Sequence, residues 1–329
     1  MSFRRLSALA LLAGLLAWPG NPQGLYDPLS VETSEAARYI DVSARDERRD
    51  RALPLRIYLP SSNAPAPVIL FSHGLGGSRE GSAYLGEHWS ARGYVVVYVQ
   101  HPGSDEDVWK TVKPRERMAA MKQAGIAQNS RRRFEDVGFV IDTLERWNGE
   151  AGNSFFNRLD LTRIGMSGHS FGARTTQVAA GQSLPGLGTR YSDPRIDAAL
   201  PMSPSSQNRI LTPEQQFRSV DLPWLLMTGT QDTAAIGGET VEGRLAVFDA
   251  LPPGSKYELV LFGGQHHAFT DGELRRGLSP RDPDHHRVIL ALSTAFWDAY
   301  LRDDAGARAW LDGNGPTEIL DSRDGWDRK

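Results

Sequence analysis

The most informative segment for the fold of this chain is Arg163-Ile164-Gly165-Met166-Ser167-Gly168-His169-Ser170-Phe171-Gly172. Residues 163–166 form a short apolar run that predicts a buried strand, and residues 171–181 follow a helical pattern. Between them lies G-x-S-x-G, the motif that places a serine on a tight turn from strand to helix. The strained turn and the close approach of strand and helix favour glycine at its two ends. The sequence therefore predicts that Ser170 is a nucleophile at the start of a helix.

The rest of the chain alternates strand and helix patterns in the same way. Near-continuous apolar runs predict strands over 68–72, 94–99, 163–166, 198–202, 224–228 and 257–262. Helical patterns cover 83–92, 131–147, 171–181, 241–251 and 287–301, and two early runs, 38–43 and 53–59, predict an antiparallel hairpin. This alternation predicts a doubly wound α/β fold, with a mostly parallel central sheet and helices on both faces.

The length, net charge and cysteine content of the chain narrow the class of protein. A length of 329 residues suits one large α/β domain, which we place at 25–329. The formal net charge of −3 argues against a nucleic-acid partner, because such proteins need a basic surplus. Cysteine is absent, which excludes disulfides and thiolate metal sites. The polar segment 101–130 follows a strand end, so it is either a substrate-facing cap or a surface excursion.

The N-terminus predicts export. Arg4 and Arg5 precede an apolar run over 6–18 that is broken by Pro19 and Gly20. This pattern is typical of a secretory signal peptide, placed at 1–24 with cleavage between about Asn21 and Tyr26. The run is short for a membrane span, although an uncleaved anchor or an ordinary helix is the alternative. We expect a periplasmic or secreted protein with no stable membrane span after processing.

A serine nucleophile needs a base, and the base needs an orienting acid. In this architecture the order along the chain is Ser, acid, His. Asp232 lies just past the strand predicted at 224–228, where the acid belongs. The strand predicted at 257–262 is followed by His266 and His267, and only one of the two can point at Ser170.

The chemistry also needs two backbone amides aimed at the developing negative charge. One is the amide of Phe171, directly after the nucleophile. The loop Ser72-His73-Gly74-Leu75-Gly76-Gly77 follows the strand predicted at 68–72, and its Leu75 N–H is the candidate for the second donor.

These segments resemble those of a known family. Phe71-Ser72-His73-Gly74-Leu75-Gly76 and 168–172 are similar to the two signature segments of the platelet-activating-factor acetylhydrolases, which are related to the dienelactone-hydrolase-like esterases. Residues 263–271 resemble the family's histidine segment, in which Phe follows the histidine by three positions and Asp by five; this selects His266. The resemblance implies the α/β-hydrolase fold, ester chemistry and a Ser170–Asp232–His266 triad with Leu75 and Phe171 as oxyanion donors.

We therefore expect a cofactor-free and metal-free serine hydrolase that cleaves small-molecule carboxylic esters, with acetyl or short-chain esters favoured. A polyester, thioester or amide substrate is the alternative, and a non-catalytic binding protein is a third interpretation.

Other polar groups have simpler explanations. His285 and His286 beside Asp282 and Asp284 suggest a charged loop before a helix rather than a metal site. Residues 131–133, all arginine, suggest a solvated face with local pairs such as Arg133–Asp136. His101 follows a strand and could line the pocket mouth; we interpret it as a bystander.

Overall fold

The computed structural model describes residues 26–31, 37–271 and 282–329. In these ranges a nine-stranded sheet has the order β1-β2-β4-β3-β5-β6-β7-β8-β9. Parallel pairing runs from β4 through β8, whereas β1, β2 and β9 pair antiparallel with their neighbours. The strands are β1 (Arg38–Asp46), β2 (Arg51–Leu59), β3 (Ala66–Ser72), β4 (Val95–Val99), β5 (Leu159–His169), β6 (Ile196–Met202), β7 (Trp224–Gln231), β8 (Lys256–Gln265) and β9 (Gly325–Arg328).

Helices cover both faces of this sheet. They are α1 (Ala83–Ala91), α2 (Asp107–Lys110), α3 (Arg117–Ala124), α4 (Ala127–Gly149), α5 (Phe171–Ala179), α6 (Pro213–Phe217), α7 (Val241–Ala250), α8 (Pro283–Leu301) and α9 (Ala305–Asp312). Short 3-10 turns span Pro114–Glu116, His266–Phe269 and Pro316–Glu318. The predicted α/β fold with a mostly parallel sheet is confirmed.

The core consists of two apolar layers, one on each face of the sheet. In β4, Val95, Val97 and Val99 face the layer covered by α4, α5, α6 and α7, whereas Val96 and Tyr98 face the layer of α1, α8 and α9. A central parallel strand is buried on both faces, which explains why its sequence is continuously apolar.

The parallel strands direct their carboxyl ends to the same edge of the sheet, where α/β folds place their sites. Ser72 ends β3, His169 ends β5, and Met202 ends β6. The strands β7 and β8 end at Gln231 and Gln265, one residue before Asp232 and His266. The topology therefore gathers the predicted site residues, which are far apart in the sequence.

Several boundaries differ from the prediction. β5 runs from Leu159 to His169, and α8 begins at Pro283 because Asp282 caps its first turn, accepting from Asp284 N–H at 3.0 Å. The helix predicted at 131–147 is α4, which begins earlier, at Ala127, and is separated from α3 by Gly125 and Ile126. The antiparallel edge strand β9 and the helix α9 were not predicted from the sequence.

The described helices include none that is long and apolar enough to span a membrane. The predicted signal peptide at 1–24 lies outside the described residues, so its assignment stays a prediction.

Candidate active site

Ser170 lies on the turn between β5 and α5 with a left-handed φ of 58° and a ψ of −113°. The turn needs its two glycines because the packing leaves no room for side chains. A Cβ at Gly172 would collide with the carbonyl oxygen of Ser72, and one at Gly168 would lie 2.6 Å from the backbone of Gly172. The Ser170 N–H donates to Met202 O at 2.9 Å, which ties the strained residue to the neighbouring strand.

The structure brings Ser170, His266 and Asp232 into one hydrogen-bonded chain. The Ser170 hydroxyl oxygen lies 2.8 Å from His266 Nε2, and His266 Nδ1 lies 2.7 Å from Asp232 Oδ1. The His266 side chain is 29% exposed, whereas the Asp232 side chain is fully buried. This geometry lets the imidazole accept the serine proton while its other nitrogen donates to the carboxylate.

His267, the alternative left open by the sequence, lies elsewhere. It lines a surface pocket of about 440 Å³ with Phe262, His285 and Arg323. Its Nε2 has no hydrogen-bond partner among the described residues. The adjacent histidines therefore occupy different environments, and His266 is the one that contacts Ser170.

The carboxylate of Asp232 is held by four donors. Oδ1 accepts from His266 Nδ1 and lies 3.1 Å from Arg244 Nε, while Oδ2 accepts from Ser203 Oγ at 2.6 Å and Thr228 Oγ1 at 3.0 Å. Burial by itself would raise the pKa of Asp232, but these hydrogen bonds and the Arg244 charge lower it to about 2. Asp232 is therefore ionised at neutral pH.

Arg244 is a buried residue of the site that the sequence analysis missed. From α7, its guanidinium donates to the carbonyl oxygens of Asp232 at 2.7 Å, Ser203 at 2.7 Å and Pro204 at 2.8 Å. Its Nη2 lies 3.2 Å from His266 Nδ1. These contacts join the loops that follow β6 and β7. No motif marked Arg244, because its importance depends on packing between distant segments.

The loop of Leu75 lies directly against the serine. A Cβ on Gly74 would lie 3.6 Å from Ser170 Cβ, so the loop approaches Ser170 within van der Waals contact. Gly76 N–H donates to Ser104 O at 2.8 Å and Gly77 N–H to Gly74 O at 3.1 Å, which fixes the turn. In the described part of the chain, no backbone acceptor is assigned to Leu75 N–H. Phe171 is the first residue of α5, where backbone N–H groups have no partner within the helix.

The segment 101–130 packs onto this loop. Trp109 of α2 donates its indole N–H to Gly76 O at 2.7 Å, and Met121 of α3 occupies the space where a side chain at Gly76 would lie. Met118 and Ile126 are 52% and 44% exposed, so the outer side of the segment is partly apolar. The segment therefore covers the loop of Leu75 rather than extending away from the site.

A second serine–histidine–aspartate array is buried beneath the same loop. Ser72 Oγ lies 2.9 Å from His101 Nε2, and His101 Nδ1 lies 2.8 Å from Asp136 Oδ2. The three side chains are inaccessible to solvent, so this array has no route to a substrate. Burial and the Arg133 charge lower the pKa of His101 to about 4, against the effect of Asp136.

His101 is buried and does not line a pocket mouth. The interpretation of Arg133 is wrong, because its side chain is fully buried rather than solvated. Asp136 pairs with Arg49 at 2.8 Å and Arg51 at 2.9 Å, not with Arg133. The sequence does contain a signal for the burial of Arg133, because its spacing places it on the same helix face as the buried residues Val137, Val140, Ile141 and Leu144.

The other histidines have local partners. His285 Nε2 donates to Phe262 O at 3.2 Å, and the His286 ring stacks on Tyr84 at 3.6 Å. Within the described ranges, no group of three or more His, Cys, Asp or Glu residues is placed to hold a metal ion.

Comparisons with known proteins agree with this architecture. The profile of the family described as platelet-activating factor acetylhydrolase, isoform II, matches residues 56–138, which include Leu75 and Arg133 but not Ser170. Cutinase est2 of Thermobifida alba is 25% identical over 213 residues, 64% of this chain and 56% of the relative. Cutinase est1 of the same organism is 25% identical over 179 residues, 54% of this chain and 47% of the relative.

The alignments thus span about half the length of these two relatives. Cutinase cut1 of Thermobifida fusca is 24% identical over 277 residues, 82% of this chain and 73% of the relative. The mostly parallel sheet with helices on both faces is that of the α/β-hydrolase fold, and the family match and these relatives are consistent with it.

Proposed function

We propose that this chain is a carboxylic-ester hydrolase that works through an acyl-enzyme on Ser170. The supporting observation is the unbroken chain from Ser170 Oγ through His266 to Asp232, with contacts of 2.8 and 2.7 Å. The acetylhydrolase profile and the cutinases support an ester as the substrate. We favour acetyl and other short-chain esters, as the sequence resemblance implies.

Each side chain has one role in the proposed acylation step. Ser170 Oγ bonds to the ester carbonyl carbon while its proton passes to His266 Nε2. Asp232, ionised and hydrogen-bonded to Nδ1, holds the imidazole orientation and stabilises the imidazolium. The carbonyl oxygen becomes an oxyanion, which the N–H groups of Leu75 and Phe171 stabilise.

Collapse of this intermediate releases the alcohol. The carbon–oxygen bond to the leaving group breaks, and His266 gives its proton to the departing oxygen. A water molecule then attacks the acyl carbon while His266 takes its proton. The bond from that carbon to Ser170 Oγ breaks, and His266 returns the proton to Oγ. The products are one alcohol and one carboxylic acid, and no cofactor is consumed.

A polyester is the second candidate substrate. The relatives are named cutinases, and the site is open enough that His266 is 29% exposed. The partly exposed Met118 and Ile126 beside the loop of Leu75 would suit contact with an apolar polymer chain.

The test uses the purified chain and p-nitrophenyl esters with acyl chains from two to sixteen carbons. Ser170→Ala is expected to lower kcat by at least about a thousandfold, because the nucleophile is lost. His266→Ala should show a comparable loss, whereas His267→Ala, the matched control, should remain within about threefold of wild type. Comparable activity of wild type and Ser170→Ala would exclude the acyl-enzyme.

The acyl-chain series distinguishes the candidate substrates. A rate confined to short chains supports a small-ester hydrolase, and release of soluble acids from a polyester film supports the second candidate. No rate on any ester would direct the search to thioesters, amides or a binding role.

We also infer that residues 1–24 direct export and that 25–329 form one catalytic domain. Expression of the full chain in a bacterium, followed by N-terminal sequencing of the protein from the periplasm and medium, tests the export. A mature start near Asn21 to Tyr26 is expected, and full-length protein retained in the cytoplasm would contradict it.

A further inference from the structure

Arg133 contacts both segments that hold the proposed oxyanion donors. It extends from α4 and is fully buried. Its Nη1 donates at 2.6 Å to the carbonyl oxygen of His73, in the loop after β3 that contains Leu75. Its Nε donates at 2.8 Å to Ser104 Oγ, in the segment after β4 whose carbonyl oxygen accepts from Gly76 N–H. Its guanidinium carbon lies 4.4 Å from the centre of the Phe171 ring. A buried cation therefore lies between the two backbone segments that the oxyanion would approach.

The orientation of the Leu75 amide depends on the carbonyl of Gly74, because both belong to one planar trans peptide unit. Gly74 O accepts from His73 Nδ1 at 2.6 Å and from Gly77 N–H at 3.1 Å, and Arg133 Nη2 lies 3.4 Å away. The N–H of a trans peptide points opposite to its carbonyl. Donors that hold Gly74 O on the buried side therefore direct the Leu75 N–H away from them.

The tautomer of His73 follows from its contacts. His101 N–H donates to His73 Nε2 at 3.0 Å, so Nε2 is the unprotonated nitrogen. Nδ1 then carries the hydrogen and donates to Gly74 O. Burial, the Arg133 charge and His101 keep the pKa of His73 well below its ordinary value, which maintains this neutral form. Arg133 Nη2 lies 3.2 Å from His73 Nδ1 and 3.4 Å from Gly74 O; because Nδ1 carries a hydrogen, only the carbonyl oxygen can accept from Nη2.

Arg133 keeps its charge without a carboxylate in contact. Within the described ranges, no Asp or Glu oxygen lies at ion-pair distance from it, since Asp136 is bound by Arg49 and Arg51. Burial lowers the pKa of Arg133 to about 9, and the more distant Asp136 and Asp105 act in the opposite direction. The guanidinium is therefore charged at neutral pH, in an interior where a charge acts strongly on nearby groups.

We propose that Arg133 is a positioning residue of the oxyanion hole. It holds the Gly74–Leu75 peptide with its N–H toward the substrate oxygen, and its charge favours the oxyanion over the neutral carbonyl. The inference rests on the proposed function, because an oxyanion hole is needed only if Ser170 attacks an acyl or phosphonyl centre. A buried arginine that only stabilises the fold is the competing explanation.

Two reactions of the full chain test this proposal: turnover of p-nitrophenyl acetate, and labelling of Ser170 by an alkyl fluorophosphonate. In the second, Ser170 Oγ bonds to phosphorus, fluoride leaves and the serine proton passes to His266. The phosphonyl oxygen occupies the oxyanion hole, so labelling reports on that hole without requiring the enzyme's own substrate.

Arg133→Met should lower kcat and the labelling rate by about thirtyfold to a hundredfold, with KM changed by less than about threefold. Guanidinium at about 20 mM should restore the rates at least about fivefold, and Arg133→Lys should be intermediate. The matched control is Arg131→Met, on the same helix, because the Arg131 side chain is 67% exposed and pairs with Glu135. It should remain at wild-type rates.

Wild-type rates in folded Arg133→Met, or a loss that guanidinium does not reverse, would overturn the proposal. If Arg133→Met does not fold, Arg133→Lys replaces it as the test. One ammonium cannot hold the carbonyls of both His73 and Gly74. Wild-type rates in Arg133→Lys would therefore overturn the proposal, and a reduced kcat would support it. Wild type that is labelled at Ser170 but hydrolyses no ester would contradict only the proposed function, and the labelling rates would still decide on Arg133. Wild type that is neither labelled nor active would overturn both.

Discussion

The hydroxyl of Ser203 donates a 2.6 Å hydrogen bond to Oδ2 of Asp232, the carboxylate oxygen that His266 leaves free. Ser203 has a left-handed φ of 58° and follows β6 directly. Its N–H donates to Met227 O at 2.7 Å, which holds this residue beside β7. The position of the Asp232 carboxylate, the proposed orienting acid, is therefore set from two strands and not only from its own loop.

This arrangement predicts different effects for two substitutions. Asp232→Asn should lower kcat by about 10⁴-fold, because an amide cannot hold the required imidazole tautomer. Ser203→Ala removes one of four donors to the carboxylate and should lower kcat about threefold to tenfold. Steady-state kinetics with p-nitrophenyl acetate measure both, with circular dichroism as the check on folding. Equal losses in the two variants would contradict this ranking.

The turn at Ser170 predicts a strong dependence on the size of residue 172. Gly172→Ala should destabilise the fold by more than about 3 kcal/mol, because the new Cβ would collide with the carbonyl oxygen of Ser72 in a parallel strand. Chemical denaturation measures this free energy of unfolding.

Gly149→Ala is the matched control for that experiment. Gly149 ends α4, and a Cβ added there would meet no heavy atom of another segment within 4 Å. Its substitution should therefore change stability by less than about 1 kcal/mol. Equal stability of the two alanine variants would contradict the steric explanation for the glycine of the turn.

The strands and the turn at Ser170 could be predicted from the sequence because their signals are local. A continuous apolar run such as 94–99 indicates a strand buried on both faces, whatever its neighbours are. The motif around Ser170 also has a fixed context of strand, turn and helix. By contrast, the short strand β9, with the sequence Gly325-Trp326-Asp327-Arg328, has no continuous apolar run and pairs with the edge of β8.

The hydrogen-bond partners of the buried cations could not be predicted from the sequence for a related reason. From their residue type alone, Arg133 and Arg244 would be expected at the surface, since charged side chains are rarely buried without a partner. Their partners are backbone carbonyls of distant loops, which only the folded chain brings together. The residues adjacent to either arginine in the sequence therefore do not indicate which carbonyl groups accept its hydrogen bonds.

Glu258 gives a prediction about stability and pH that is independent of catalysis. It lies in β8, is 5% exposed, and its Oε1 has no hydrogen-bond partner among the described residues. Burial and the carboxylates of Asp249 and Asp327 raise the pKa of Glu258 to about 8, against the charge of Lys329. In the unfolded chain a glutamate titrates near about 4.3.

Between these two pKa values the folded protein binds more protons at this residue than the unfolded chain does. The contribution of Glu258 to stability therefore falls as the pH rises from about 4.3 to about 8. Glu258→Gln removes the ionisation and should raise the free energy of unfolding at pH 9 by roughly 2–4 kcal/mol, with little change at pH 4. Urea denaturation at both pH values measures the difference.

Glu47→Gln is the control in an exposed turn, where the side chain is 80% accessible, and it should change stability by less than about 0.5 kcal/mol at either pH. A Glu258→Gln effect that is the same at pH 4 and pH 9 would show that the substitution acts through packing rather than through ionisation.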